Sequence, residues 1–276
     1  MTAAASAIRA VTFDYWQTLV GERPGDMRAG HIAALRASFA DRGHEVDAAA
    51  LEAAFEANWR HFEDVWRANS GQHTAADAAR FVGAHLGLDV DDEIVDRFVD
   101  DVRSVGETVH LELAPGIKEA IATLHGAGVG LAIVCDVGMT PAPVLRDRLE
   151  SLGLLDAFDA WSFSDETGVF KPASEAFTPA LAGLGVVDPS TAAHVGDNPR
   201  TDVAGALAMG MTAVRYTGLL HTRPGFVRRV ADALPEGPVD ASDETAIAWA
   251  TAPREPEEAH LVIDDHRDLA GVLGIA

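Results

Sequence analysis

Four short segments hold the residues whose types and spacing could do chemistry. Asp14 follows the apolar run 10–13 and opens the stretch Asp14-Tyr15-Trp16-Gln17-Thr18. Cys135 and Asp136 end a second apolar run, 129–135. Lys171 stands in Phe170-Lys171-Pro172, and Asp197 and Asp202 lie within His194-Val195-Gly196-Asp197-Asn198-Pro199-Arg200-Thr201-Asp202. A single aspartate after a strand is commonly a turn former. The set is another matter, because the strand ends of a parallel α/β sheet open into one ligand-binding crevice and one fold geometry would gather all of these groups. Clustered carboxylates repel and are costly to bury, so a hard dication, Mg2+, is their natural companion. With such an ion and a lysine nearby, one carboxylate could attack an electrophilic phosphorus.

The elements that must position these residues are legible as short β-branched runs at 10–13, 129–135, 160–163, 192–195, 212–216 and 259–263. From residue 129 onward they alternate with helical patterns at 145–155, 175–184 and 202–209, which predicts βαβ units and a doubly wound parallel sheet. Thr140-Pro141 is expected to cap the first of these helices. The stretch 21–110 has no strand-like run and reads as four amphipathic helices broken at Arg42-Gly43, Asn69-Ser70-Gly71 and Leu86-Gly87. The expected organisation is therefore an α/β core, residues 1–21 and 111–276, with an inserted helical cap, residues 22–110. Phe55, Trp59, Phe62 and Trp66 recur at helical spacing and are expected to serve at least partly as bundle core, with a ligand-facing wall as the alternative. The proline-punctuated stretch 219–258 reads as an irregular insertion before the last strand and helix.

Composition narrows the partners. Forty-three acidic against 21 basic residues give a net charge of -22, which repels nucleic acid and anionic membrane surfaces. No apolar run approaches the length of a membrane span, and the first residues lack the basic start and apolar stretch of a secretory signal. The single cysteine excludes an intramolecular disulfide and fits a reducing compartment. A cytoplasmic protein acting on a small anionic molecule is the expectation. The eleven histidines show no His-x-x-x-His spacing, so no zinc site is expected.

In order and spacing, the segments around Asp14, Cys135, Lys171 and Asp197–Asp202 resemble the four signature motifs of the haloacid dehalogenase superfamily of phosphohydrolases and dehalogenases. The resemblance covers the core up to Tyr216, and the cap matches in position and helical character. It implies that Asp14 is the nucleophile, that Lys171 balances its charge, and that Asp14, Asp197, Asp202 and the main-chain carbonyl of Trp16 hold Mg2+. It further implies that an anion meets the backbone N–H groups of residues 136–138 and the helix start at Thr140, beside Cys135 and Asp136, where relatives carry a hydroxyl. The departure is Trp16. Family phosphatases have a second aspartate there as general acid and base, whereas haloacid dehalogenases carry an aromatic residue, need no metal, and lack the later carboxylates that this chain keeps. The resemblance thus implies a Mg2+-dependent phosphatase of a small phosphorylated metabolite. The alternatives are a metal-independent dehalogenase, a catalytically impaired binding protein, or, least expected, a thiol enzyme at Cys135.

Overall fold

The computed structural model describes residues 7–22, 26–68, 71–219 and 258–275. The expected insertion 219–258 lies almost wholly outside these residues. Strand β1 (Ala10–Phe13) is central in a six-stranded sheet and leads through β2 (Val20–Glu22) into four helices, α1 (Asp26–Asp41), α2 (Ala48–Ala68), α3 (Ala75–His85) and α4 (Asp92–Thr108). The chain returns through β3 (Leu111–Leu113), α5 (Ile117–Gly126), β4 (Gly130–Cys135), α6 (Ala142–Ser151), β5 (Ala160–Phe163), α7 (Ser164–Thr167) and α8 (Thr178–Gly183). It ends in β6 (Ala192–Gly196), α9 (Ala204–Ala208), β7 (Thr212–Tyr216), β8 (Leu261–Ile263) and α10 (Leu269–Val272).

All pairings in the large sheet are parallel, in the order β5-β4-β1-β6-β7-β8. Both faces of such a sheet are covered, and this is why β1, β4 and β6 are buried along almost their whole length. One face packs Val11, Phe13, Leu131, Ile133, Val195 and Val214 against α5 and α6. The other packs Ala10, Ala132 and Ala213 against Phe177 and Leu181 of the α8 segment. Because β1 lies between β4 and β6, chain entering from either side brings its strand end to Asp14.

The four inserted helices bury a cluster of their own, with Leu35, Phe39, Leu51, Phe55, Val82, Phe98 and Val102 at its centre. Gly30 permits the close approach of α1 to α4, since a Cβ there would sit 2.4 Å from a Val105 methyl. Thr74 caps α3 reciprocally with Asp77, and Asp91 caps α4. The expected breaks fall where the structure has them, with Gly43 and Gly87 in left-handed conformations after α1 and α3.

Several expectations need correction. The stretch 21–110 does contain strand: Gly21 and Glu22 belong to β2, which pairs antiparallel with β3 to form a ribbon where the insertion leaves and rejoins the core. Three-residue strands are too short to declare a period in sequence. Helix α6 begins three residues earlier than expected, and Thr140 does not cap it. Pro141 occupies the cap position, and the Asp165 carboxylate accepts from the Ala142 N–H at 2.9 Å. The helix expected from residue 202 is a π-helical turn, Pro199–Val203, running into α9. The aromatic series on α2 is divided: Phe55 is core, Trp59 is 37 % exposed, and Phe62 and Trp66 face the α/β core.

Two buried histidines set a pH dependence. His266 donates through Nε2 to the Thr18 carbonyl at 2.8 Å and stacks on Tyr216 at 4.1 Å, and burial pushes its pKa down to about 4. His31 is lowered to about 4 by burial and then by the Arg148 charge. In the unfolded chain both titrate near 6.5. Between these values the unfolded state takes up protons that the native state refuses, so stability is full above pH 6.5 and falls as pH drops toward 4. Each histidine is expected to cost about 3 kcal/mol across that window, while Asp136, raised by burial to about 6, opposes with one proton. Urea unfolding at pH 7 and pH 5 should show His266→Gln losing close to one proton's worth of the wild-type slope. An unchanged slope would mean that His266 is not held neutral.

Candidate active site

At the end of β1, Asp14 donates its N–H to the Val195 carbonyl at 2.8 Å, which ties the strand end to β6. Lys171, 3 % exposed, reaches the same point from the segment after α7. Its ammonium donates to Asp14 Oδ1 at 2.7 Å, Asp202 Oδ1 at 2.6 Å and the Val134 carbonyl at 3.1 Å. All three donor positions of the lysine are thus used, and they fix Nζ between strands β1 and β4 and the π-helical turn.

Asp202 is the most constrained carboxylate. Its Oδ2 accepts from the Asn198 N–H at 2.9 Å, and its Oδ1 contacts His194 Nε2 at 3.2 Å in addition to Lys171. His194 Nδ1 lies 2.8 Å from Thr12 Oγ1. A Thr12 hydroxyl donating to Nδ1 leaves Nε2 as the donor to Asp202, which is the tautomer the network favours. Asp202 can approach this closely because residue 196 is glycine: a Cβ there would fall 2.2 Å from Asp202 Cγ. The π-helical turn supplies the orientation, a local device common at functional sites.

The charges respond to this confinement. Burial alone would raise the Asp202 pKa, but the Lys171 charge and the His194 hydrogen bond hold it well below the usual carboxylate range. For Asp14 burial wins, and its pKa is raised despite Lys171, with Asp202 adding to the rise. Burial disfavours the Lys171 ammonium, yet Asp14 and Asp202 hold its pKa well above normal. Ligand oxygens of Asp14, Asp197 and Asp202 all lie within 4.8 Å of one another. This all-oxygen, all-anionic donor set fits a hard dication, and more positive charge is what an ionised Asp14 calls for.

The structure brings together Asp14, Lys171, Asp197 and Asp202. Trp16 is half-buried against the core, its ring edge-on to Tyr15 at 5.0 Å. Cys135 is buried, its thiol pKa pushed well up by burial and then by Asp14, and its Sγ contacts the Asp136 carbonyl at 3.6 Å, surroundings that disfavour a thiolate nucleophile. Asp136 does not face the Asp14 cluster with a free carboxylate: Oδ1 accepts the Lys171 main-chain N–H at 2.9 Å and Oδ2 accepts the Trp66 indole N–H at 2.8 Å. Of the backbone donors expected to meet an anion, Val137 N–H is engaged instead, by Ser164 Oγ at 2.8 Å. His194, which steadies Asp202, was not among the residues expected to do chemistry. The available signal was a polar side chain amid a fully apolar strand. Trp66 as a partner of Asp136 had no signal, because the two are 70 residues apart.

The sheet, the insertion and this cluster define a class that comparison with known proteins makes specific. The family model for haloacid dehalogenase-like hydrolases matches residues 8–210, and the chain belongs to that family. A ribulose-1,5-bisphosphate 5-phosphatase of Halopiger xanaduensis is 33 % identical over 213 residues, covering 75 % of this chain and 84 % of that protein. An (S)-2-haloacid dehalogenase of a Pseudomonas species is 28 % identical over 214 residues, covering 76 % and 80 %. In fold, a HAD phosphatase from Thermococcus onnurineus superposes with a TM-score of 0.60 at 22 % identity, covering 97 % of this chain and 98 % of its own. The protein is accordingly a hydrolase of the α/β class. Among the described residues no helix is long and apolar enough to cross a membrane.

Proposed function

We propose that the chain is a Mg2+-dependent phosphatase of small phosphorylated metabolites, with Asp14 as nucleophile. The observation that carries this reading is the convergence of Asp14, Asp197 and Asp202 around one point with Lys171 alongside. Asp14, Asp197 and Asp202, with the Trp16 carbonyl, are the groups that would hold the ion. When bound, Mg2+ neutralises carboxylates and polarises a phosphoryl oxygen. Lys171 orients the Asp14 carboxylate and offsets negative charge on the transferred group. An Asp14 oxygen forms a bond to phosphorus as the bond to the ester oxygen breaks, giving an aspartyl phosphate and an alkoxide. Water then attacks that phosphorus as its bond to the Asp14 oxygen breaks, releasing phosphate and restoring the carboxylate, and the proton that water gives up to solvent balances the one the alkoxide takes from it. The Trp16 indole is far too weak an acid to protonate the alkoxide, so esters with stable leaving groups are favoured. The inserted helices, residues 22–110, act as the lid, and the β2–β3 ribbon is its tether.

Support from relatives is of the same kind. The 33 % identical protein is named for a sugar bisphosphate, which places bisphosphorylated and monophosphorylated sugars first in a substrate panel. The test is phosphate release from such a panel with and without EDTA. Release that EDTA abolishes is expected. Metal binding is expected to depend on Asp197: calorimetry should show Mg2+ association that Asp197→Ala weakens at least tenfold, and equal binding by the two proteins would displace the site from these carboxylates. A second reading rests on Trp16 and on the haloacid dehalogenase relative. It is a C–halogen hydrolase, and halide release from 2-haloacids persisting in EDTA would establish it instead.

A further inference from the structure

The cap meets the core through a contact that the proposed chemistry does not use. From α2, Trp66 donates its indole N–H to Asp136 Oδ2 at 2.8 Å. One turn earlier the Phe62 ring lies edge-on to Phe170 at 6.3 Å and covers Gly138, where a Cβ would stand 3.6 Å from Phe62 Cζ. Met139, in the same loop after β4, packs into the hydrophobic cluster of the cap. The second oxygen of Asp136 accepts the main-chain N–H of Lys171 at 2.9 Å. One carboxylate thus joins the lid to the backbone of the lysine that holds Asp14 and Asp202.

We propose that Asp136 is a positioning residue, coupled to the cap through Trp66, which fixes Lys171 in place only while helix α2 is seated on the core. A carboxylate is acceptor-only when ionised, and two N–H donors from different parts of the chain fix both its position and its rotation. When the cap lifts, Oδ2 loses the indole, and a confined carboxylate oxygen without a partner will turn toward other donors or water. Turning releases the Lys171 N–H, the bond that sets where the lysine leaves the main chain. Phe62 and Met139 supply apolar seating, and Trp66 supplies the directional contact. Closure over a substrate and assembly of the lysine–aspartate cluster then become one event. This inference rests on the phosphatase reading for its kinetic consequence, but not for its structural one.

The test is Trp66→Phe, which keeps an aromatic ring and removes the N–H. Amide hydrogen exchange at Lys171 is expected to quicken about tenfold, the scale of one charge-assisted hydrogen bond, with β1 amides unchanged. In the same variant kcat should fall about tenfold with KM within twofold, because Lys171 acts on the transferred charge and not on substrate capture. Trp59→Phe, on the same helix but bonded to Glu63 at 3.1 Å, should leave both quantities as in the wild type. Asp136→Asn, whose amide can accept only one of the two donors, should reproduce the Trp66→Phe losses, and the double variant should lose little more. Exchange at Lys171 that stays at the wild-type rate in Trp66→Phe overturns the coupling, whatever happens to turnover or to α2. If the wild type releases no phosphate from any ester, the phosphatase reading fails alone, and the exchange measurement still decides the latch.

Discussion

Lys171→Met is expected to lower kcat on every phosphate ester by about 10³-fold or more, and to destabilise the metal-free protein by about 3–5 kcal/mol. The two effects have one cause. Lys171 is the shared partner of Asp14 and Asp202, each side chain at least nine-tenths buried, at 2.7 and 2.6 Å. Its removal leaves two confined negative charges facing each other, and breaking a buried ion pair from one side is far costlier than never building it. Asp14, already raised by burial, would be raised further, so less of the nucleophile is ionised at neutral pH. Added Mg2+ should recover much of the stability, because a dication near Asp14, Asp197 and Asp202 replaces part of the lost charge, and little of the rate, because it cannot occupy the lysine's position. Thermal unfolding with and without Mg2+, beside phosphate release, checks both halves. A variant with wild-type melting temperature and turnover would show that Lys171 is not the balancing charge.

Part of this network could be read from the chain because two of its members, Asp14 and Asp197, sit at strand ends. Asp14 and Asp197 each follow a run of apolar residues, and a parallel sheet delivers such positions to one edge regardless of the loops between them. Lys171 carried no such periodic signal and became legible only through its spacing to the other segments. The rest depended on tertiary packing. Trp66 and Asp136 meet because helix α2 crosses above the loop after β4, and no local pattern encodes that crossing. Likewise β2 and β3 are strands because each pairs with the other across the whole insertion, while their three-residue length hides any alternation. The π-helical turn at Pro199–Val203 escaped for a different reason: its residues suit an α-helix start, and only the pull of Asp202 toward Lys171, His194 and the Asn198 N–H shows why the turn is wider.

Trp16→Asp is expected to raise turnover of unactivated alkyl phosphates by about 10²-fold or more, while p-nitrophenyl phosphate gains far less. The main-chain carbonyl at position 16 is the same in both proteins, so groups that hold a cation are untouched, and the new carboxyl adds the proton donor that the leaving alkoxide lacks. Its place is defined by the backbone: Gln17 has a left-handed φ of 60°, and its N–H donates to the Val20 carbonyl at 2.7 Å, so the turn after Asp14 is fixed independently of the indole. The substitution is not free of cost. Trp16 packs half-buried against the core and edge-on to Tyr15, and losing it should destabilise by about 2 kcal/mol, below the range for a fully buried tryptophan. Circular dichroism and a melting curve must therefore accompany the kinetics. Asp14→Asn in either background should abolish release, since an amide is a poor nucleophile. A folded Trp16→Asp protein that gains nothing on alkyl phosphates, while the wild type frees halide from 2-haloacids in EDTA, would show that the aromatic residue marks a dehalogenase and not a phosphatase lacking its acid.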